Sequence, residues 1–293
     1  YIFYYFHKIY FLIKGVRLMT EVRFGEVKGA PDEVFINDVF RIVNEAEKNG
    51  IILRVIGAVA IRVHVMPHGF ADLHIKLGRL GEGKPSFSDL DFITYRKFAS
   101  KVEKFFEKAL KFVPDRWINT YFGHKRLVFY HPQGFYHSDI FFDKLEFSHD
   151  VDLRGRLELD SPTIPLADLV LEKTQIHEIN EKDLKDLIVL IRAHEIGETD
   201  EKEVINAKYI AKVLAQDWGF WYDATMNLNK VKAMAKKCLK EEKLTEEDYN
   251  DVIKKIDKIL EYIEKEPKSK KWKKRAKAGT KKKWWRDVEE VVR

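Results

Sequence analysis

The sequence contains a single cysteine, Cys238, among 293 residues. One cysteine cannot form an internal disulfide or a cysteine-built metal site, and this scarcity favours a reducing compartment such as the cytoplasm. Long hydrophobic runs are also scarce, although 45% of the residues are hydrophobic. The composition therefore excludes a small disulfide-stabilised scaffold and predicts one large or two modest domains, each built on an apolar core.

The most apolar stretch, residues 1–16, is interrupted by His7, Lys8 and Lys14. It is shorter than the roughly 20 residues of a membrane-spanning helix, and it lacks the basic start and cleavage site of a signal peptide. Because Met19 begins an ordinary globular sequence, we expect residues 1–18 to be a non-native or upstream extension. A segment packed on the body is the next alternative, and a membrane anchor the last.

Acidic residues are absent from residues 267–286, which contain eleven Lys or Arg. The net charge of the chain is +6, so the remaining residues sum to −5 and the basic character belongs to the tail. Trp272, Trp284 and Trp285 lie among these basic residues. Lysine neutralises phosphates and tryptophan stacks on unpaired bases, so the tail 267–293 is a candidate RNA-binding segment. The alternative is a basic helix that packs its tryptophans on the body and leaves its lysines in water.

The hydrophobic periodicity changes at Pro165. Before it, the patterns predict helices over 32–48, 58–64 and 96–112, and strands over 51–56, 73–77, 89–94, 117–120, 126–130, 137–142 and 151–159. After it they predict helices over 166–177, 181–194, 201–216, 228–239 and 246–264, the last with a capping box at Thr245 and Asp248. We therefore predict an α/β (α+β) fold class: a mixed sheet with helices at 19–164, a helical lobe at 165–266 and the tail.

Two carboxylates, Asp89 and Asp91, alternate with Leu90 and Phe92 in a predicted strand. Alternation places both carboxylates on one face, where they repel each other unless a cation lies between them. Carboxylate oxygens suit Mg²⁺ or Mn²⁺, ions that also bridge substrate phosphates. An isolated Asp-x-Asp is more typical of an exposed strand edge, so its context decides the interpretation.

That context contains two further elements. Upstream, Gly57 and Ala58 follow a strand and precede a helix, an arrangement in which backbone amides can contact phosphate. Downstream, Asp139 lies on a strand and can supply a third carboxylate for the metal or a base for an attacking hydroxyl. Asp143, at the end of that strand, is the alternative third carboxylate, and a surface role for Asp139 is the simpler interpretation.

The order strand–Gly57-Ala58–helix, then Asp89-x-Asp91, then Asp139 resembles the DNA polymerase β-like nucleotidyltransferase superfamily. The resemblance covers roughly residues 34–190 and is to the minimal prokaryotic and archaeal branch that includes AbiEii-type toxins. It implies Mg²⁺-dependent transfer of a nucleoside monophosphate from a nucleoside triphosphate to a hydroxyl of RNA, protein or a small molecule. It also implies that Asp89, Asp91 and Asp139 are the catalytic metal ligands. An antitoxin-like partner is possible for this branch.

The same resemblance implies a nucleotide-contacting lysine on the first helix of the helical lobe, and Lys173 matches that position. Gly57, Ala58 and Ser88 complete the expected nucleotide contacts, although Ala58 lacks the hydroxyl that is common at its position. Asp183 and Asp186 are expected to be helix caps or ion-pair partners. The alternative for Lys173 is a solvent-exposed lysine. The alternative for the protein is a non-catalytic nucleotide- or RNA-binding member of the same fold.

Several other polar side chains admit two interpretations. Lys76 and Arg79 can clamp a triphosphate, or they can be surface residues. His64, His68 and His74 are too loosely spaced for an expected zinc site. An aromatic cluster is expected to pack in the core or at a helix joint; its members are Trp218, Phe220, Trp221 and Tyr222.

Overall fold

The computed structural model describes residues 27–81 and 83–288, so the expectation for residues 1–18 lies outside the described residues. The first half contains the elements α1 (Asp32–Lys48), β1 (Leu53–Val55), α2 (Gly57–Val65), α3 (Ala71–Lys76), β2 (Phe92–Thr94), α4 (Ala99–Lys104), β3 (Val113–Pro114), α5 (Arg116–Phe122), β4 (Arg126–Tyr130), β5 (His137–Phe142), β6 (Lys144–Glu146) and β7 (Asp150–Asp152). The second half contains α6 (Leu166–Thr174), α7 (Glu181–Ala193), β8 (Glu195–Gly197), β9 (Val204–Asn206), α8 (Ala207–Leu214), α9 (Trp218–Lys240), α10 (Glu246–Lys265) and α11 (Lys270–Ala276). The fold is therefore mixed α and β, as predicted.

A five-stranded mixed sheet forms the centre of the first half, in the order β1-β2-β5-β4-β3. Strands β2 and β5 are parallel neighbours, with Phe92 opposite Ile140, and the other pairings are antiparallel. Both of these residues are fully buried. The strand predicted over 89–94 begins only at Phe92, so Asp89 and Asp91 directly precede β2, whereas Asp139 lies within its parallel neighbour β5.

Helix α1 shows why the periodicity of the sequence was informative there. Its apolar residues recur every three or four positions, and the buried ones are Phe35, Val39, Ile42, Val43 and Ala46. The helix ends at Asn49 because Gly50 adopts φ +64°, a conformation that glycine reaches without strain. The predicted helix 32–48 is confirmed.

The helical half also follows its sequence pattern. Helix α10 begins with the predicted capping box. The Asp248 amide donates a hydrogen bond to the Thr245 hydroxyl, and the Thr245 amide donates one to the Asp248 carboxylate. The helix predicted over 201–216 starts only at Ala207, because residues 204–206 form β9 and pair with β8 in a small parallel sheet. None of the helices in the described ranges is long and apolar enough to cross a membrane.

Two of the predicted strands are helices. Residues 73–77 lie mostly in α3, where His74 and Leu77 are buried while Ile75 is 56% exposed, a helical rather than alternating pattern. Residues 117–120 lie in α5, whose first turn is capped by the Asp115 carboxylate accepting the Ile118 amide at 2.9 Å. In these two segments the helix cap and the tertiary packing favour a helix over the strand that the short alternating runs predicted.

Two other predicted elements have different lengths. The single helix predicted over 96–112 is a series of short 3₁₀, α and π turns from Arg96 to Ala109, and Lys111 then adopts φ +61°. The strand predicted over 151–159 is confined to Asp150–Asp152, after which the chain forms turns. Both errors concern boundaries, which local periodicity specifies poorly.

Candidate functional site

The three candidate aspartates lie next to each other at the central strands: Asp89 and Asp91 just before β2, and Asp139 within β5. Asp89 forms a parallel bridge with His137, and Asp91 and Asp139 directly precede the paired residues Phe92 and Ile140. Opposed residues on parallel strands point to the same face, about 4.8 Å apart between strands. Asp89, Asp91 and Asp139 therefore share a face, with Asp139 buried and the other two partly exposed.

Each of these carboxylates already accepts a hydrogen bond. The Asp139 amide donates to Asp91 Oδ1 at 2.9 Å, which ties the Asp91 side chain to the neighbouring strand. Arg126 Nη1 donates to Asp139 Oδ2 at 2.8 Å, and the Ser88 hydroxyl donates to Asp89 Oδ2 at 2.9 Å. The guanidinium of Arg126 offsets one of three formal negative charges, so the four charged side chains sum to −2. This charge favours a divalent cation.

The donor chemistry fits Mg²⁺, but the carboxylates are not gathered around one point. Among the described residues, the group of three potential ligands whose donor atoms all lie within 4.8 Å of one another is His64, His194 and Glu203. Asp89, Asp91 and Asp139 do not form such a group. Mg²⁺ is commonly bound by only one or two carboxylates together with water and substrate phosphates, so the Asp89–Asp91 pair is sufficient in donor type.

Asp143 is placed away from this face. Thr94 and Phe142 are opposite each other at the far ends of β2 and β5, and the Asp143 amide donates to the Thr94 carbonyl at 3.0 Å. Four residues of extended chain, roughly 13 Å, separate Asp143 from Asp139. The alternative that made Asp143 the third carboxylate is therefore wrong, and Asp139 is the residue beside Asp91.

The chain turns from β1 into α2 directly beside Asp91. The Ile56 amide donates to the Asp91 carbonyl at 3.0 Å, and Gly57 follows with φ +74°. A side chain would be strained at this φ, which explains the glycine. The Gly57 amide donates to Glu172 Oε2 at 3.1 Å, so a carboxylate of the helical half already occupies a position where a phosphate was predicted. Ala58, the next residue, lies in the first turn of α2.

Glu172 is a buried carboxylate beside Gly57 that the sequence interpretation did not include. It is 8% exposed, and burial raises its pKa from 4.5 to about 7, although nearby Lys173 acts to lower it. Near neutral pH it therefore exists in both charged and neutral forms. The available signal was the charged pair Glu172 and Lys173 directly after the apolar run from Leu166 to Leu171, because charged side chains are buried only where they find partners.

Lys173 is buried rather than solvent-exposed. Its ammonium lies 2.8 Å from Asp183 Oδ1 and 3.0 Å from Asp186 Oδ2. Burial alone would lower the pKa of Lys173, but the two carboxylates outweigh burial and hold the pKa above its usual value. The alternative of a surface lysine is wrong, and the expected ion-pair role of Asp183 and Asp186 is confirmed. The nucleotide contact of Lys173 stays a prediction.

Asp186 connects the helical half to the segment that precedes Asp89. It is fully buried and accepts bonds from His74 Nε2 at 2.8 Å and Arg79 Nε at 2.9 Å. Arg79 also donates to the Ser86 carbonyl at 3.0 Å. The surface interpretation of Arg79 is therefore wrong, whereas Lys76 is exposed. Burial acts to raise the pKa of Asp186, but Lys173 and Arg79 hold it well below its usual value.

The tryptophans of the tail pack on the body. Trp284 Nε1 donates to Asp223 Oδ1 at 3.0 Å, and the Trp285 ring stacks on His177 with 3.7 Å between centroids. Trp272 contacts Trp221 of the aromatic cluster, edge to face at 5.0 Å. This arrangement matches the alternative of a basic segment anchored by its tryptophans. The three rings are nevertheless partly exposed, and their stacking on bases stays a prediction. The expected role of the aromatic cluster at a helix joint is confirmed.

Comparisons with family models, with curated proteins and with solved structures gave no significant match to this chain. The assignment of a function therefore depends on the site itself.

Proposed function

We propose that the protein is a Mg²⁺-dependent nucleotidyltransferase that moves a nucleoside monophosphate from a nucleoside triphosphate to a hydroxyl acceptor and releases pyrophosphate. The observation that carries the proposal is the shared face of Asp89, Asp91 and Asp139 on the adjacent parallel strands, beside the start of α2. Asp89 and Asp91 would hold the ion, which supplies Lewis-acid stabilisation of charge on the phosphate oxygens.

In this proposal Asp139 accepts the proton of the attacking hydroxyl. Its carboxylate is buried and paired with Arg126, whose side chain is 21% exposed. A guanidinium at this position can also contact phosphate oxygens, because its planar donors match them. Movement of Arg126 from Asp139 to the substrate would expose the base and neutralise the substrate in one step. Arg126 is thus a positioning residue that the sequence interpretation did not include.

The nucleotide contacts would come from Gly57, Ala58, Ser88 and Lys173. At Gly57 the triphosphate competes with Glu172 for the backbone amide. The neutral form of Glu172, populated near pH 7, is a weaker competitor because it lacks the charge that favours a bond to an amide. The free Cys238 and the need for nucleoside triphosphates are consistent with a cytoplasmic location.

The test is incubation of the full chain with each labelled nucleoside triphosphate, Mg²⁺ and either total RNA or total protein. Label should pass to one acceptor class, and Asp89→Asn should abolish the transfer. Asp257→Asn, an exposed carboxylate on α10, is the matched control and should retain activity. Absence of transfer with every nucleotide and both acceptor pools, from protein that is folded, would contradict the enzyme proposal.

The second candidate is a non-catalytic nucleotide- or RNA-binding protein. The pairing of Arg126 with Asp139 favours it, since a permanently neutralised third carboxylate cannot act as a base. This candidate predicts that the protein binds nucleotide but transfers no label, and that Asp89→Asn does not weaken the binding. An RNA acceptor, or a protein partner of the antitoxin kind, remains part of the proposal to be tested in the same pools.

A further inference from the structure

A second group of polar side chains lies at the opposite end of α2 from Gly57. His64 Nδ1 lies 3.2 Å from Glu203 Oε2, and His194 Nε2 lies 3.0 Å from the same oxygen. The two imidazoles are buried, and Glu203 is about a quarter exposed. His68 Nε2 approaches Glu203 Oε2 at 3.3 Å from the solvent side. Three imidazoles therefore converge on one carboxylate.

The hydrogen bonds within this group fix which nitrogen of His194 faces the carboxylate. His194 Nδ1 lies 2.8 Å from the Leu190 carbonyl, which can only accept, so Nδ1 carries the hydrogen. His194 Nε2 then faces a carboxylate oxygen 3.0 Å away, where it can donate to that oxygen in an ion pair or coordinate a metal ion beside it. Metal-binding histidines characteristically use a carbonyl in this way to fix the tautomer.

Two of the donor-atom distances are close to those around a tetrahedral ion, and all three donor atoms lie within 4.8 Å of one another. Bonds of about 2.0–2.1 Å to nitrogen and oxygen place neighbouring ligand atoms of a tetrahedron roughly 3.3–3.4 Å apart. The distances from Glu203 Oε2 to the two buried imidazoles, 3.0 and 3.2 Å, are close to that value. Nitrogen donors exclude Mg²⁺ and Ca²⁺, which prefer oxygen, and suit Zn²⁺ and its transition-metal neighbours.

The surroundings also hold the ligands in place. His64 Nε2 lies 2.6 Å from the Thr163 hydroxyl and 3.4 Å from the Ile164 carbonyl, which orients Nδ1 toward Glu203. Asp160 Oδ2, 3.8 Å from the same nitrogen, adds a second negative charge. Glu203 itself has φ +60°, a strained backbone conformation for a residue with a side chain. Strain of this kind persists where a local interaction repays it.

We propose that His64, His194 and Glu203 bind one divalent transition-metal ion of the Zn²⁺ class, with His68 or a water as the fourth ligand. The ligands come from the end of α2, the residue after α7 and the residue before β9. The ion therefore connects the half that contains the sheet to the helical half. This site shares no ligand with the proposed nucleotidyltransferase site, so the absence of a metal here would not refute that proposal.

The test uses full-length protein without a histidine tag, stripped of metal with a chelator and titrated with Co²⁺ and with Zn²⁺. We expect one Co²⁺ per chain with the visible absorption of a tetrahedral site, displaced by one equivalent of Zn²⁺. Glu203→Gln should weaken binding by on the order of 100-fold, since outer partners alone contribute 10–100-fold. The matched control is His124→Ala, which removes an exposed histidine and should bind like the unchanged protein.

Circular dichroism on every variant separates loss of binding from loss of folding. If Glu203→Gln does not fold, the metal affinity of His68→Ala is compared with that of the unchanged protein, because His68 is already exposed. Weaker binding by His68→Ala supports the site with His68 as a ligand. Retained binding in folded His68→Ala together with loss in folded Glu203→Gln supports the site with water as the fourth ligand. Folded unchanged protein that binds neither ion stoichiometrically, or binding that neither substitution changes, overturns the proposal.

Discussion

Replacement of Lys173 by Met removes a buried ammonium while keeping most of the volume of the side chain. The change leaves Asp183 and Asp186, exposed by only 4% and 0%, without the cation that lies 2.8 and 3.0 Å from them. Removal of one partner of a buried pair costs about 3–5 kcal/mol, because the remaining charge stays desolvated. Arg79 and His74 still contact Asp186, so we expect the lower part of this range.

Thermal unfolding followed by circular dichroism measures the effect. At about 2 °C per kcal/mol for a large chain, the lower part of that range corresponds to a fall in Tm of roughly 6 °C for Lys173→Met. The control is Lys237→Met on α9, whose exposed pair with Glu181 contributes little, so its Tm should stay close to that of the unchanged protein. Addition of Asp183→Asn to Lys173→Met should restore part of the loss, because it removes one stranded charge.

An unchanged Tm in Lys173→Met would refute the reasoning, since it would mean that the two carboxylates find solvent or protonate at no cost. Activity distinguishes a further role. If Lys173 also contacts the triphosphate, transfer by Lys173→Ala should slow at temperatures where the variant is fully folded, and Lys173→Arg should restore it only partly. Normal transfer by folded Lys173→Ala would confine the residue to stability.

Three other outcomes are expected. Asp91→Asn should abolish transfer and leave the fold intact, because the amide keeps the bond from the Asp139 amide but loses the charge; near-normal turnover would remove Asp91 from the site. Glu172→Gln should change how stability depends on pH. The raised pKa of Glu172 contributes stability to the native chain that is present below pH 4.5 and is lost as pH rises through about 7. The free energy of unfolding of the variant, measured in urea, should therefore rise relative to that of the native chain by up to about 3 kcal/mol between pH 5 and pH 8. A parallel pH dependence in both proteins would contradict this. Deletion of residues 267–293 should weaken any RNA binding and flatten its salt dependence, and Lys281→Gln with Lys282→Gln should flatten it while sparing the packed tryptophans; an unchanged slope would show that the tail only covers the body.

The sequence predicted the elements whose information is local. Alternation along residues 89–92 and 137–142 was enough to place three aspartates on one face, once the two strands were assumed to be neighbours. The capping box at Thr245 and the periodicity of α1 are also local, and both were confirmed. The strand predictions for residues 73–77 and 117–120 were wrong, because an apolar run of four or five residues fits a helix turn and a strand equally well.

The charged contacts of the site could not be predicted in this way. Glu172 reaches Gly57 across 115 residues, and Asp186 reaches His74 across 112 residues. Glu203 meets His64 across 139 residues, so the histidine spacing along the chain gave no indication of this cluster. Periodicity reports which face of an element is buried, but it carries no information on which distant polar group meets it. The only local signal was burial of charge within apolar helices.

Helix α2 relates the two candidate sites to each other. It spans nine residues, about 13 Å, from Gly57 beside Asp91 to the turn that contains His64 and His68. The aspartates offer only oxygen donors, whereas the far end offers nitrogen, so each end discriminates against the ion that suits the other. An ion held at the histidine end would fix α2 against α7 and β9, and thereby the position of the Gly57 amide. Loss of that ion should therefore displace the Gly57 amide from its position at the nucleotide end. Loss of an aspartate should leave the geometry of the histidine end unchanged.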